Sequence, residues 1–349
     1  MQHRFFSRPV RFVLGILVLA MVISVGQPLQ AQKTFTIGIS LPTTQEVVWP
    51  LMAQTATDLA KAAGFTAITV AADNKLQNQV DQVDNLIAQN VDAILIGFVN
   101  TDAAASLCKT IKDAGVVLIQ MDRLGSNCNG DAYVTADSTR VARSQVGLLA
   151  GALGGTGNII IIGGATGNSV ADAFEAGYND VLPLFPNLNV VAFQRIENWS
   201  PSGALNFVEN TLAANDNNVQ GIVSMNDGMI LGALQAVEAA GLKIPLLGSD
   251  AEAAAVVNVI DGRLFATVDK SPNAIGGGAF NAAKAILENA SSIPAQNGTI
   301  NDGSNDVPLV LTDIFVVTRA SLLNHGSSDP TLQRVTDACQ MRPDFAACK

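Results

Sequence analysis

Val116-Val117-Leu118-Ile119-Gln120-Met121 is a mostly apolar run that stops abruptly at Asp122-Arg123. Three later runs end the same way. Gly221-Ile222-Val223-Ser224-Met225 stops at Asn226-Asp227, Leu246-Leu247-Gly248-Ser249 at Asp250, and Leu264-Phe265-Ala266-Thr267-Val268 at Asp269-Lys270. Short runs rich in Val and Ile, separated by helix-like stretches, read as buried parallel strands. In an open parallel sheet the carboxyl ends of the strands face the ligand crevice. Four polar strand ends therefore converge on one small polar molecule, and the chain reads as a binding protein.

The same rhythm runs through most of the sequence. Strands are expected at 35–40, 66–70, 92–98, 116–121, 133–136, 158–162, 189–193, 220–225, 245–248, 264–268 and 308–317. Helices are expected at 50–63, 76–89, 103–114, 139–153, 170–182, 202–214, 228–240 and 272–288. Ala63-Gly64, Ala114-Gly115 and Ala240-Gly241 are helix stops of the kind that glycine supplies. Alternation of this kind gives βαβ units and parallel sheets. Eleven strands exceed one compact sheet at this length, so the fold class is α/β with two doubly wound parallel-sheet lobes. Residues 33–136 plus 271–300 form the N-terminal lobe, 137–270 plus 301–319 the C-terminal lobe, and 320–349 a polar tail. Three crossings between the lobes make a hinge.

The first 31 residues stand apart. Arg4, Arg8 and Arg11 precede an apolar stretch from Phe12 to Val25, and Leu29-Gln30-Ala31 offers cleavage after Ala31. That is a secretory signal peptide, too short for an ordinary membrane span, and it predicts export to a periplasm. Its removal leaves 17 basic against 30 acidic side chains, a net charge of −13. Such a balance argues against nucleic acid or an anionic membrane as partner.

Four cysteines, Cys108, Cys128, Cys339 and Cys348, allow three disulfide pairings in an oxidising compartment. The sequence-local pairs, Cys108 with Cys128 and Cys339 with Cys348, are favoured. No C-x-x-C is present, and His325 is the only histidine beyond the signal. A zinc ribbon, a His-rich metal site and a Ser-His-Asp triad are thereby disfavoured, and no cofactor is expected. Asp122 and Asp250 are the pair an enzyme would use for acid/base work, but no nucleophile motif accompanies them. Gly163-Gly164-Ala165-Thr166-Gly167 lacks both G-x-G-x-x-G spacing and a P-loop Lys, and reads as a tight βα turn.

The exported signal, Asp122-Arg123 after the fourth strand, Asn226-Asp227, Gly248-Ser249-Asp250 and Lys270 before Ser271-Pro272 fall in a familiar order. Over about 34–318 the chain resembles the periplasmic sugar-binding proteins of the ribose, galactose and xylose type. These are substrate-binding subunits of ABC importers, with the type I periplasmic binding protein fold. The resemblance implies lobes that close around a sugar, stacking aromatic rings on its faces and hydrogen-bonding its hydroxyls. Trp49 and Trp199, the only tryptophans, fall where such rings belong. It further implies a membrane ABC permease as partner, with a chemoreceptor or sensor kinase as the alternative, and a monomeric protein.

The side chains themselves suit a polyhydroxylated guest. A carboxylate accepts from vicinal hydroxyls while a guanidinium donates in a fixed fork, so Asp122 and Arg123 can read both sides of a diol. Asn226 and Asp250 add groups from the other lobe, and Lys270 sits at the hinge. Asp227 is either a further contact or the cap of the next helix. Glu46 and Asn100 are candidate first-lobe contacts. Asp172 aligns where many relatives carry Arg, and Phe174 replaces a second Arg. The expected set is therefore Glu46, Trp49, Asp122, Arg123, Asp172, Trp199, Asn226, Asp250 and Lys270. Its acceptors outnumber its donors, which favours a neutral monosaccharide or polyol over a sugar acid or phosphate and leaves an amino sugar open.

Overall fold

A computed structural model describes residues 34–323 and Met341. The first stretch of chain runs β1 (Thr36–Leu41), α1 (Val48–Ala62), β2 (Thr66–Ala71), α2 (Leu76–Ala88), β3 (Ala93–Ile96), α3 (Ala104–Asp113), β4 (Val117–Met121) and β5 (Ala132–Ala136). The second runs α4 (Ser138–Leu153), β6 (Thr156–Gly163), α5 (Ser169–Val181), β7 (Asn187–Arg195), α6 (Pro201–Ala214), β8 (Gly221–Ser224), α7 (Asp227–Ala239), β9 (Leu246–Leu247), α8 (Ala253–Ile260) and β10 (Ala266–Asp269). The third holds α9 (Pro272–Leu287), β11 (Thr299–Asn301), β12 (Asp306–Thr312), β13 (Phe315–Thr318) and α10 (Arg319–Leu323).

Two sheets result, ordered β11-β12-β5-β4-β3-β1-β2 and β13-β10-β9-β8-β6-β7. Pairing is parallel except at β11–β12 and β10–β13. Central strands are buried on both faces; every residue of β3 (Ala-Ile-Leu-Ile) and of β8 (Gly-Ile-Val-Ser) is inside. Helices cover both faces of each sheet, and the apolar residues gather into one core around the second sheet and two flanking the first. This is the α/β, two-lobed, doubly wound arrangement expected from the sequence. The helix stops also behave as read: Gly64, Gly115 and Gly241 have φ of +78°, +72° and +70°. Only glycine adopts that left-handed turn without steric cost.

The chain crosses between sheets after β5, after β10 and between β12 and β13. Helix α9 returns to the first sheet and packs on α1. A Cβ at Gly276 would lie 2.2 Å from the Met52 carbonyl oxygen, so this glycine lets the two helices approach closely.

The third crossing corrects two expectations. The run 308–317 is two strands instead of one: β12 pairs in parallel with β5 of the first sheet, and β13 pairs antiparallel with β10 of the second. Residues 301–312, expected in the C-terminal lobe, therefore belong with the first sheet. Both halves are short apolar runs, separated only by Thr312-Asp313, so composition alone does not reveal the switch of sheets at Asp313-Ile314. Ile314 packs against the cores of both lobes.

Cys108 on α3 and Cys128 in the loop after β4 are joined by a disulfide. The signal segment 1–31 and the pair Cys339 and Cys348 lie outside the described residues.

Candidate ligand-binding cleft

Strands β4, β8, β9 and β10 all deliver polar residues from their carboxyl ends, and charged side chains from both sheets meet there. Lys270 Nζ stands 3.1 Å from Asp250 Oδ1 and 3.7 Å from Asp122 Oδ1, with all three side chains buried. Arg123 Nη2 stands 3.7 Å from Glu46 Oε1, in the loop between β1 and α1. Arg123 Nη1 donates to the Phe98 carbonyl at 2.8 Å, which fixes the guanidinium over the end of β3.

That guanidinium lies against both indoles. Its central carbon is 4.9 Å from the Trp49 ring centroid and 6.0 Å from that of Trp199, within the range of cation–π attraction. Each indole rests on bare backbone. A Cβ at Gly97 would fall 2.2 Å from Cζ3 of Trp49, and one at Gly164 would fall 2.2 Å from Cη2 of Trp199. Glycines at the ends of β3 and β6 are thus seats for the rings. Phe174 adds a third buried ring, 5.8 Å from Lys270 Nζ.

Left-handed backbone recurs at the cleft. Asp122, Trp199, Asp250 and Ser271 have φ of 59°, 51°, 109° and 52°. Non-glycine residues at positive φ are unfavourable and persist only where surroundings over-determine them. Asp122 shows how: its N–H donates to Val134 O at 2.8 Å, and its carbonyl accepts from Tyr133 Oη at 2.7 Å. The turn aims the carboxylate away from the strand axis and into the cleft.

Several buried polar atoms at this place make no hydrogen bond: Glu46 Oε1, Asp122 Oδ1, Arg123 Nε and both indole Nε1 atoms. Native interiors rarely leave such groups unsatisfied. Here they gather around two rings, as unmet donors and acceptors from both lobes. Burial pushes the Glu46 carboxyl up to about 7, opposed by the Arg123 guanidinium and reinforced by Asp250 and Asp122. Burial also disfavours the Lys270 ammonium, but Asp122 and Asp250 outweigh it and hold its pKa above the ordinary lysine value.

The structure brings together Glu46, Trp49, Asp122, Arg123, Trp199, Asp250 and Lys270. Asp172 is elsewhere: its side chain is 55% exposed and pairs with Arg195 Nη2 at 2.7 Å. Arg195, at the end of β7, also binds Glu175, so α5 turns this acidic edge outward. Asn226 is buried at the end of β8, but its amide oxygen caps α7 by accepting from Met229 N at 2.9 Å. Only its Nδ2 remains for a ligand. Asp227 is neither cap nor wall; it accepts from Thr267 Oγ1 at 2.8 Å and from Glu252 N at 2.8 Å within the second lobe. Asn100 Oδ1 accepts from Ala103 N at 2.9 Å in the turn that leads into α3. The glycine seats and the wall formed by Phe174 were not foreseen as site features.

The lips of the cleft touch. Thr101, before α3, donates its N–H to Gly167 O at 2.9 Å, and Ser169 N donates to Thr101 Oγ1 at 3.1 Å. Leu124 N donates to Ser169 Oγ at 2.8 Å. Both lobes therefore contribute to a nearly shut site.

Two α/β lobes joined by three chain crossings and walled by rings and buried charges define a receptor that encloses a small polar solute. The model for the periplasmic binding protein domain matches residues 37–291, and the chain belongs to that family. It is 30% identical over 295 residues to the D-xylose-binding periplasmic protein of Haemophilus influenzae, covering 83% of this chain and 88% of the relative. Among solved structures it is similar to an ABC transporter periplasmic solute binding protein of Actinobacillus succinogenes with bound D-allose. That match has 26% identity and a TM-score of 0.74, over 84% of this chain and 100% of the other. A solute binding protein of Bacillus halodurans with bound myo-inositol matches at 25% identity and TM-score 0.71, over 82% and 96%.

Proposed function

We propose that this protein captures a neutral monosaccharide or polyol between its lobes and delivers it to a membrane ABC importer. The supporting observation is the cluster of four buried charged side chains, Asp122, Arg123, Asp250 and Lys270, with the partly buried Glu46 beside them, drawn from both sheets and the hinge and lying against two indoles through Arg123. Trp49 and Trp199 offer flat apolar faces to the C–H faces of a sugar ring; such stacking contributes about 0.5–1.5 kcal/mol beyond area burial. Asp122 and Asp250 accept from hydroxyls, while Arg123, Lys270 and Asn226 Nδ2 donate to ring and hydroxyl oxygens. Relatives that bind D-xylose, D-allose and myo-inositol support a guest of this class.

Residues 1–31 serve as the export signal, and the mature chain works as a monomer in the periplasm. Contacts from both lobes exist together only when the cleft is shut, so ligand shifts the hinge towards closure. The shut form is what a permease recognises. The protein releases its guest unaltered and is not an enzyme. Presentation of the same shut form to a chemoreceptor or sensor kinase is the competing output; deletion of the gene would abolish sugar uptake under the import reading and leave it unchanged under the signalling one.

Thermal unfolding in the presence of D-xylose, D-ribose, D-allose, xylitol and myo-inositol tests the reading. A ligand that binds only the native state raises Tm. At least one neutral sugar or polyol should do so, whereas D-glucuronate and D-ribose 5-phosphate should not. No shift with any neutral member would contradict it.

A further inference from the structure

Glu46 has a charge problem that the sugar-binding reading leaves open. The cluster holds three carboxyl groups, Glu46, Asp122 and Asp250, and two cations, Arg123 and Lys270. Lys270 is committed to Asp250 and Asp122. Arg123 is committed to the Phe98 carbonyl and to the indole faces, and its 3.7 Å approach to Glu46 is beyond hydrogen-bond length. Glu46 Oε1 is buried with no hydrogen-bond partner. A buried carboxylate without a matching cation is strongly disfavoured, and neutralisation is the ordinary escape.

We propose, building on the sugar-binding reading, that Glu46 enters the ligand complex as the neutral carboxylic acid and donates a hydrogen bond to the guest. Selection of an uncharged guest and uptake of one proton on capture are then two consequences of the same residue.

The charged groups that face Glu46 include no further cation among the described residues. On the first lobe Glu46 faces Arg123 and Asp122; from the second it faces Asp250, and from the hinge Lys270. Asp269 turns to Ser271 N at 2.7 Å. Asp227 turns to Thr267 and Glu252 N. On α5, Asp172 and Glu175 are matched by Arg195. None of these supplies the missing positive charge.

The direction of the linkage follows. In an open cleft, water reaches Glu46 and its carboxyl titrates near the ordinary glutamate value of about 4.3. Burial in the shut cleft pushes it up to about 7. Between those values the bound state holds a proton that the free state has released, so affinity falls as pH rises through that window and levels off above it. A guest carrying a single positive charge would instead match an ionised Glu46 and need no proton.

Isothermal titration calorimetry on the intact mature protein decides the matter. The probe is the tightest binder among D-xylose, D-ribose, D-allose, xylitol and myo-inositol, with D-glucose and D-glucosamine as a neutral and cationic pair. Titrations at pH 6 in two buffers of different ionisation enthalpy should show net proton uptake, and affinity should fall at least about tenfold from pH 5.5 to 7.5. Glu46→Gln imitates the neutral acid, so it should bind at least about tenfold more tightly than wild type at pH 8 and lose the pH dependence. Tight binding by wild type with no proton uptake would overturn the proposal, as would preference for D-glucosamine over D-glucose at pH 7. The wild-type proton count stands even if the variant folds poorly. Absence of binding by every neutral probe would refute the sugar-binding reading itself, a separate outcome.

Discussion

The Thr101 hydroxyl of the first lobe donates to the Gly167 carbonyl of the second at 3.1 Å, alongside the Thr101 N–H bond to the same oxygen. Thr101 is buried, and none of these bonds involves a guest. The shut arrangement is thus partly held by the protein's own lips. Thr101→Val keeps the shape and removes the hydroxyl bonds, at a net cost of about 1 kcal/mol. Because that cost falls on the shut state, ligand affinity should weaken roughly fivefold, mostly through faster release. Stopped-flow fluorescence measures both rates; an unchanged release rate would show that the lip bonds do not hold closure.

The ring seats give a second expectation. Gly97→Ala or Gly164→Ala would place a methyl group 2.2 Å from an indole carbon, so the ring must move. Overpacking of this kind costs about 1–3 kcal/mol. Affinity for the sugar should fall roughly tenfold or more by calorimetry while thermal unfolding stays cooperative. Trp49→Ala and Trp199→Ala should each cost about 2 kcal/mol of binding energy, the level of an interface hot spot.

The Cys108–Cys128 bond closes a loop with a sequence separation of 20 and ties down the segment that follows Arg123. Loop-closure entropy gives such a cross-link about 3 kcal/mol of stability. The double variant Cys108→Ser, Cys128→Ser should lose about that much in guanidinium titration. The same segment is held to the β11–β12 hairpin, where Asp302 O accepts from Asn127 N at 2.7 Å, so the fold should survive the loss.

Asp227 predicts a pH effect on stability that is independent of ligand. Burial, with the nearby Glu252 and Asp250 charges, raises its pKa well above the ordinary aspartate value. The native state therefore keeps a proton that the unfolded chain releases above about pH 4. Stability should fall as pH rises from there through the elevated native value. Urea midpoints between pH 5 and 8 should show this decline in wild type and a shallower one in Asp227→Asn. Equal slopes would show that Asp227 is ionised in the native protein.

What the sequence disclosed and what it concealed have separate physical causes. Asp122, Arg123, Asp250 and Lys270 were legible because charges that end buried apolar runs collect at the crevice, although Asp227 and Asp269, at the same strand ends, turn to local partners instead. Trp49 and Trp199 were legible because tryptophan is scarce in this chain and both lie at the start of a helix, Trp49 in the first turn of α1 and Trp199 just before α6. Asp172 was misread because its placement depends on the rotation of α5, which Arg195, at the end of β7, fixes from outside. Asn226 looked like a wall and is chiefly a cap, since the end of a strand and the start of the next helix demand the same residue types. The split of 308–317 was hidden because β12 and β13 are both short apolar runs, two residues apart, that serve two sheets. Gly97 and Gly164 carry no side chain to read, and only the rings resting on them reveal their purpose.

Trp49 and Trp199 are the only tryptophans in the chain, so intrinsic emission reports on the cleft alone. Titration of the mature protein with D-xylose, D-ribose, D-allose, xylitol and myo-inositol, followed by tryptophan fluorescence, tests whether a sugar sits between the two indoles. A saturable change in emission, with the midpoint found by calorimetry and reduced by either Trp→Ala variant, is the predicted result. A sugar that binds calorimetrically while emission stays constant would contradict the account.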